Sequence, residues 1–551
     1  MYVDVSSLRR NGKTYTRYLL RECYREEGKV KHRTVASLSR CSPEEIEAIR
    51  LALRHKQELA ALGAIKDSVQ LHQGPSIGAV WLVYQVAHHL GIEQALGPSR
   101  QGRLALWQVI ARVIDQGSRL SAVRLAATHA ACDVVGLERF DEEDLYGDLD
   151  WLSVHQAKIE DRLFRFQSKE TASGLFLYDV TSSYLEGNHN ELGAFGYNRD
   201  GKRGKRQLVI GLLCNGGGRP LSIEVFAGNT QDTKTFTPQV KKVAERFGGR
   251  EITFVGDRGM IKSHQIQALG ERQFHYITAI TKPQIEALLK SDALQLDLFD
   301  ETLAEITTEE GLRYILRRNP HRAEESAASR EDKYQTLSKA AVEYTHYLSA
   351  HPRARVEVAL RTLENRRQKL RLAQWVKLFI EGREIRVAKD PQALREIAKL
   401  DGCYVLKTDL SREVASKETV HDRYKDLALV EWAFRESKTV HLEMRPIYVR
   451  RESRTRGHAF VVMLAYALIK ELATRWQPLD LTVKEGIDQL ATLCLTEVRI
   501  KDQAPSHQVP TPTDTLQRLL DAAQVRLPKV LPSRGVTVTT KTKLQNRRKQ
   551  K

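Results

Sequence analysis

FLYDVTSSYLEG, Phe176 to Gly187, is the stretch on which the reading of this chain turns. Leu175, Phe176, Leu177 and Tyr178 run into Asp179, and Val180 and Thr181 follow, so a buried strand carries a carboxylate in its middle. Side chains alternate along a strand, which puts Asp179 on the face of Leu175 and Leu177. An unpaired carboxylate there must take a proton or find partners, because a buried lone charge is costly. A strand-end cap or a turn would also account for one such residue, so the rest of the chain has to answer it.

Two segments do. EITFVGDRGM repeats the pattern: Asp257 ends another apolar strand, on the face of Thr253 and Val255, and Gly259 permits a turn. Strand ends in α/β sheets collect binding groups, and two such aspartates meet if their strands are neighbours. The third segment, YKDLALVEWAFRESK, Tyr424 to Lys438, reads as one helix. At about 100° per residue, Tyr424, Glu431, Arg435 and Lys438 share a stripe of roughly 60° beside an apolar face of Leu427, Val430 and Phe434. Taken alone, that stripe would be a solvated surface with Glu431 paired to Arg435 at i,i+4.

Around these segments the pattern is that of a mixed α/β sheet. LFLYDVTSSY, QLVIGLLCNG, PLSIEVFAGN, EITFVGDRG and FHYITAIT are five strands, the last two separated from the others by helical stretches. Residues 169–282 form the first part of this core. Residues 283–400 are charged and read as an insertion, and the core resumes over 401–475 with the glutamate helix. Ahead of it, 76–168 is helical. Residues 1–75 read as a small antiparallel sheet plus a helix, with Asn11-Gly12 as a hairpin signal and Ser42-Pro43-Glu44-Glu45 opening a helix to about Leu62. Tyr15, Arg17 and Arg21, with Lys29, Lys31 and Arg33, make that sheet a candidate DNA contact. Residues 476–551 carry C-terminal helices and a basic tail, KTKLQNRRKQK, suited to nonspecific DNA contact.

Composition agrees with a nucleic-acid partner. The 551 residues carry a net charge of +18, which favours a polyanion. Hydrophobic residues make up 41%, enough for several folded domains. Six cysteines stand singly, with no Cys-x-x-Cys or Cys/His cluster, which argues against zinc knuckles and a disulfide framework. The N-terminus has no apolar signal region, and AFVVMLAYALI near residue 460 is short for a bilayer span, so a cytoplasmic, nucleoid-associated protein is expected.

YDVT, then VGDRG, then Y-x6-E-x6-K resembles the bacterial insertion-sequence DDE transposases, in the group marked by a Y-x2-R-x3-E-x6-K signature. The likeness runs from about Phe176 to Leu468 and includes the insertion ahead of the glutamate helix and the downstream RPIY at Arg445 to Tyr448. Leu427 stands at the signature arginine position, with Arg435 as the candidate replacement for its charge. The resemblance implies a ribonuclease-H-like core in which Asp179, Asp257 and Glu431 hold two Mg²⁺ or Mn²⁺ ions. It further implies that Tyr424, Arg435, Lys438 and Arg258 contact DNA. The activity implied is binding of transposon terminal repeats, strand cleavage, and joining of the 3′-ends to target DNA, by a homodimer on paired ends. A noncatalytic DNA-binding derivative and a nuclease without strand transfer are the alternatives.

Overall fold

The computed structural model describes residues 1–10, 13–54, 56, 69–167, 174–197, 199–202, 204–247, 252–438, 442–445, 449–500 and 506–542. The Asn11-Gly12 turn, the end of the first helix beyond Arg54, residues 446–448 and the basic tail from 543 lie outside them. The chain forms two compact units. One comprises 1–76, 493–512 and 527–535; the other comprises 77–492, 513–526 and 536–551.

In the first unit, β1 (Tyr2–Arg10), β2 (Lys13–Glu26) and β3 (Lys29–Ser37) make an antiparallel sheet in that order. Several of its basic side chains are engaged by acids: Arg21 with Asp4, Lys31 with Glu26 and Arg33 with Glu22. The helix Pro43–Arg54 opens with the expected capping pair, Ser42 and Glu45 exchanging backbone-to-side-chain hydrogen bonds. β4 (Val69–Ser76) pairs with Cys494–Ile500, which pairs in turn with Ser506–Gln508. Neither of those C-terminal strands was legible as a strand. Their residues, CLTEVRI and SHQ, do not alternate cleanly, and Cys494–Ile500 finds its partner β4 more than 400 positions away.

The second unit is built on an eight-stranded mixed sheet. β5 (Leu175–Tyr184), β6 (Gln207–Asn215) and β7 (Pro220–Ala227) form an antiparallel meander. β8 (Thr253–Gly256) then lies parallel to β5, and β9 (His275–Ala279) parallel to β8. These are the five strands read from the sequence. β6 is buried along its whole length, which is why it reads as a continuous apolar run. Phe176, Tyr178 and Val180 point from β5 into a core with Phe236, Val240, Phe254 and Leu269. The Tyr178 hydroxyl donates to the Thr235 carbonyl at 3.2 Å and crosses so near Gly211 that a Cβ there would lie 2.2 Å from it. Asp179 therefore emerges on the opposite face.

β10 (Ala304–Thr307), β11 (Arg313–Arg318) and β14 (Cys403–Thr408) complete the sheet, in the order β10-β11-β14-β9-β8-β5-β6-β7. β10 and β11 fall within the charged span read as inserted. RYILRR hides its place because Arg313 is buried, donating to Glu305 at 2.6 Å and to the carbonyls of Leu410, Ser411 and Ala415. Downstream, helices Pro320–Ala350 and Val356–Lys369, the hairpin of β12 (Val376–Glu381) and β13 (Glu384–Lys389), and helix Pro391–Ala398 share a core of their own around Leu337, Leu363, Trp375 and Val376.

Helices Gly78–His89, Arg100–Ile114 and Glu142–Gln167 surround the helix Glu452–Trp476. By length and composition the segment Glu452–Leu479 would suffice to cross a membrane, but 78% of its apolar window is buried inside the protein. It is the central core helix of this body.

Candidate active site

The sheet brings the two aspartates together by register. Tyr178 of β5 stands beside Gly256 of β8 in a parallel pair, so Asp179 and Asp257 follow at the same edge of adjacent strands. The Asp179 carboxylate accepts a hydrogen bond from its neighbour's amide, Val180 N, at 2.7 Å, and Asp257 accepts from Arg258 N at 2.8 Å. Glu431 arrives from the helix Leu427–Lys438, whose apolar side, Leu427, Val430, Ala433 and Phe434, is buried and which packs on β5. The 424–438 segment is not one helix, as its periodicity suggested. Lys417–Lys425 and Leu427–Lys438 meet at Asp426, where Leu429 N bonds back only three residues to the Asp426 carbonyl. The break leaves Tyr424 and Glu431 near the same carboxylates.

Asp179, Asp257, Tyr424 and Glu431 line one cavity of about 380 Å³, together with Asn319, Arg322, Tyr404, His421 and Leu427. A neighbouring cavity of about 620 Å³ shares Asp257, Arg322, Tyr404 and Tyr424 and adds Arg258, Lys282 and Asp401. The electrostatics tie the acids together. Burial, with the negative charges of Asp257 and Glu431, pushes the Asp179 carboxyl up to about 7, against smaller opposing effects from Val180 N and the Arg199 guanidinium. Burial likewise raises the Tyr424 phenol, and the negative charges of Asp257 and Glu431 add to the shift. His421, beside Tyr404 at 2.5 Å, is held below the usual imidazole range by burial and by Lys425.

The donor set fits divalent ions of the hard, oxygen-preferring kind: three carboxylates in one cavity that no thiol lines. Among the described residues no three His, Cys, Asp or Glu groups stand close enough to enclose a single ion. Asp179 feels the negative charges of both Asp257 and Glu431.

The basic residues divide. Lys438 donates to Asp200 at 2.9 Å, and Arg258 lines the second cavity. Arg435 is exposed on the glutamate helix and lines neither. Leu427, at the signature arginine position, lines the first cavity, and the guanidinium that does so is Arg322, from the first turn of helix Pro320–Ala350. Sequence reasoning passed over Arg322, Asn319, Tyr404 and His421. NPHR, with an N-cap followed by proline, marked a helix start but gave no hint of where it would point.

Comparison with known proteins places the chain in a family. A model of the transposase DDE domain matches residues 171–468, more than half of the chain, and a model of the IS1634 family transposase N-terminal domain matches residues 3–63. The chain belongs to the DDE transposases of bacterial insertion sequences. As a DDE transposase it is a DNA transposase, and the family is metal-dependent and acts on DNA. No curated protein matches this transposase. Among solved structures, a piggyBac transposase synaptic complex with hairpin DNA aligns over 78% of this chain and 76% of its own, at 9% identity and a TM-score of 0.36. A likeness that weak carries no argument here.

Proposed function

We propose that Asp179, Asp257 and Glu431 are the catalytic triad of this DDE transposase, set in a ribonuclease-H-like core, and that they hold two Mg²⁺ or Mn²⁺ ions. The antiparallel meander followed by two parallel strands supports that core. The observation that supports the reading is the single cavity lined by all three acids, in which Asp179 feels the charges of the other two. When bound, such an ion pair activates the attacking hydroxyl and stabilises the leaving oxygen in an in-line displacement at phosphorus.

The chain's own residues do the rest. Asp179 would have to give up its proton to hold such an ion, which its raised affinity for protons opposes near neutral pH. Tyr424, which lines the cavity with Asp257, positions that carboxylate. Lys438 and Arg258 neutralise phosphates of the transposon end and fix its register. Arg322 takes the place of the signature arginine that Leu427 lacks, and Arg435, further out, contributes to the basic approach. Two protomers on paired terminal repeats, cleaving and then joining 3′-ends to target DNA, complete the reading.

The test is an incubation of the protein with DNA carrying the element's ends, Mg²⁺ and a target plasmid. Joined products support strand transfer. Cleavage without joining would reduce the protein to a nuclease, and binding without cleavage would leave a noncatalytic DNA-binding protein.

A further inference from the structure

The loop between β5 and β6 is not part of the acid cavity, yet it is anchored beside it. Its segment FGYNRDGKRGKR, residues 195–206, carries five cationic side chains and one acid. Two aromatic rings stand out into solvent, Phe195 at 63% exposure and Tyr197 at 83%. Large rings are usually withdrawn from water, and a pair two residues apart in a cationic loop calls for a partner with both flat apolar faces and negative charge.

The base of the loop is firmly held. Gln207 Nε2 donates to the carbonyls of Tyr197, at 3.0 Å, and Gly228, at 2.8 Å. Gly196 lies so close to the Gly228 carbonyl that a Cβ there would stand 2.0 Å from its oxygen. Arg199 N donates to Ser182 Oγ at 3.0 Å, and its guanidinium pairs with Asp232 at 2.5 Å. The rings thus project from a braced backbone. The cations gather around them: Arg206 lies 5.8 Å from the Phe195 ring centre and Arg199 5.9 Å from that of Tyr197.

Two links connect this loop to the site. Arg199 is near enough to Asp179 to oppose the upward shift of its carboxyl. Asp200, which accepts from Tyr184 N at 3.3 Å, also accepts from Lys438 at 2.9 Å, so the loop touches the glutamate helix at its last described residue.

We propose that residues 195–206 are a binding subsite for unpaired nucleotides of the DNA strand that passes the acid cavity. Phe195 and Tyr197 stack on bases, and Lys202, Lys205 and Arg206 meet the intervening phosphates. A duplex offers its bases only edge-on in the grooves, so exposed rings are useful to a strand whose bases are unstacked. This goes beyond the acid-site reading and depends only on DNA being the partner.

The test compares the full-length protein with a Phe195→Ala/Tyr197→Ala variant, in EDTA so that no cutting enters. The probes are a fluorescein-labelled oligothymidylate and a labelled blunt duplex. The variant should bind the oligothymidylate about ten-fold or more weakly, in line with the stacking contribution of one or two bases, and the duplex within about two-fold of the parent. A Phe195→Trp/Tyr197→Trp variant should retain strand binding, which separates stacking from misfolding. Unchanged oligothymidylate affinity in the alanine variant would overturn the proposal, as would equal loss on both probes. An Asp179→Asn protein should bind both probes normally, so a failure of the acid-site reading would show elsewhere, in the cleavage assay.

Discussion

Glu160 and Asp179 are both carboxylates set among buried residues, and their surroundings could hardly differ more. Glu160, on the helix Glu142–Gln167, is buried and fully answered: Arg246 reaches it at 3.0 Å, Lys242 at 3.7 Å, Gln156 at 2.7 Å and Ser222 at 2.8 Å. Asp179, on β5, accepts a hydrogen bond from one backbone amide, and the charges it feels most strongly are two further acids. Among the described residues no ion pair reaches it. The difference teaches how to separate a structural acid from a working one. A carboxylate ringed by cations has already been neutralised by the fold; one that faces further carboxylates has not, and under the proposed function a bound cation neutralises it instead.

That contrast can be broken or sharpened by substitution. The largest effect expected is on catalysis: Asp179→Asn should bring DNA cleavage to background while end binding persists, and gel analysis of cleavage showing retained activity would remove Asp179 from the site. Next in size is Glu160→Ala. It leaves Lys242 and Arg246 without their shared partner, and a loss of about 3 kcal/mol is expected in denaturant unfolding. Glu224 and Asp161 still pair with those cations, at 2.5 and 2.7 Å, and keep the loss at the lower end of such values.

The same Asp179→Asn protein should, in contrast, be more stable than the parent at pH 8 without metal. The native carboxyl titrates near 7, above its unfolded value, so the native state holds the extra proton in between. Stability of the parent therefore falls as pH rises from about 4 to about 7, and above that the full cost of the charge is present. The asparagine variant escapes it, by on the order of 4 kcal/mol at pH 8 and by almost nothing at pH 4. Thermal melts across that range check the sign; a variant destabilised at pH 8 would place Asp179 with Glu160 in the structural class.

Smaller effects belong to the phosphate contacts. Lys438→Ala should lower the slope of log affinity against log salt by about one, since one neutralised phosphate is lost. Arg322→Ala should weaken end binding more than Arg435→Ala, because Arg322 lines the acid cavity and Arg435 does not. A reversed order would return the signature charge to the glutamate helix.

Much of this was legible in the residues. The five strands β5 to β9 announced themselves because buried strands are written as unbroken apolar runs, and a carboxylate inside such a run is conspicuous. Asp179 and Asp257 were singled out for that reason. Glu431 was found through its spacing from Tyr424 and Lys438, although the break at Asp426 was not visible, since nothing in YKDLA departs from helical periodicity. Strands β10 and β11 escaped because a buried arginine, satisfied by Glu305 and three carbonyls, looks in sequence like a surface residue. Arg322 escaped because a helix start says nothing about its direction in space.

The sequence by itself determined strands β5 to β9 and the family and put the three acids forward as candidates, since periodicity and local chemistry are properties of neighbours along the chain. Tertiary structure decided which residues face one another: the parallel register that sets Asp179 beside Asp257, the packing that carries Glu431 to both, and the helix that delivers Arg322 from more than 100 residues upstream of Leu427. Those juxtapositions depend on the packing of distant segments, and no local pattern encodes the distance between them.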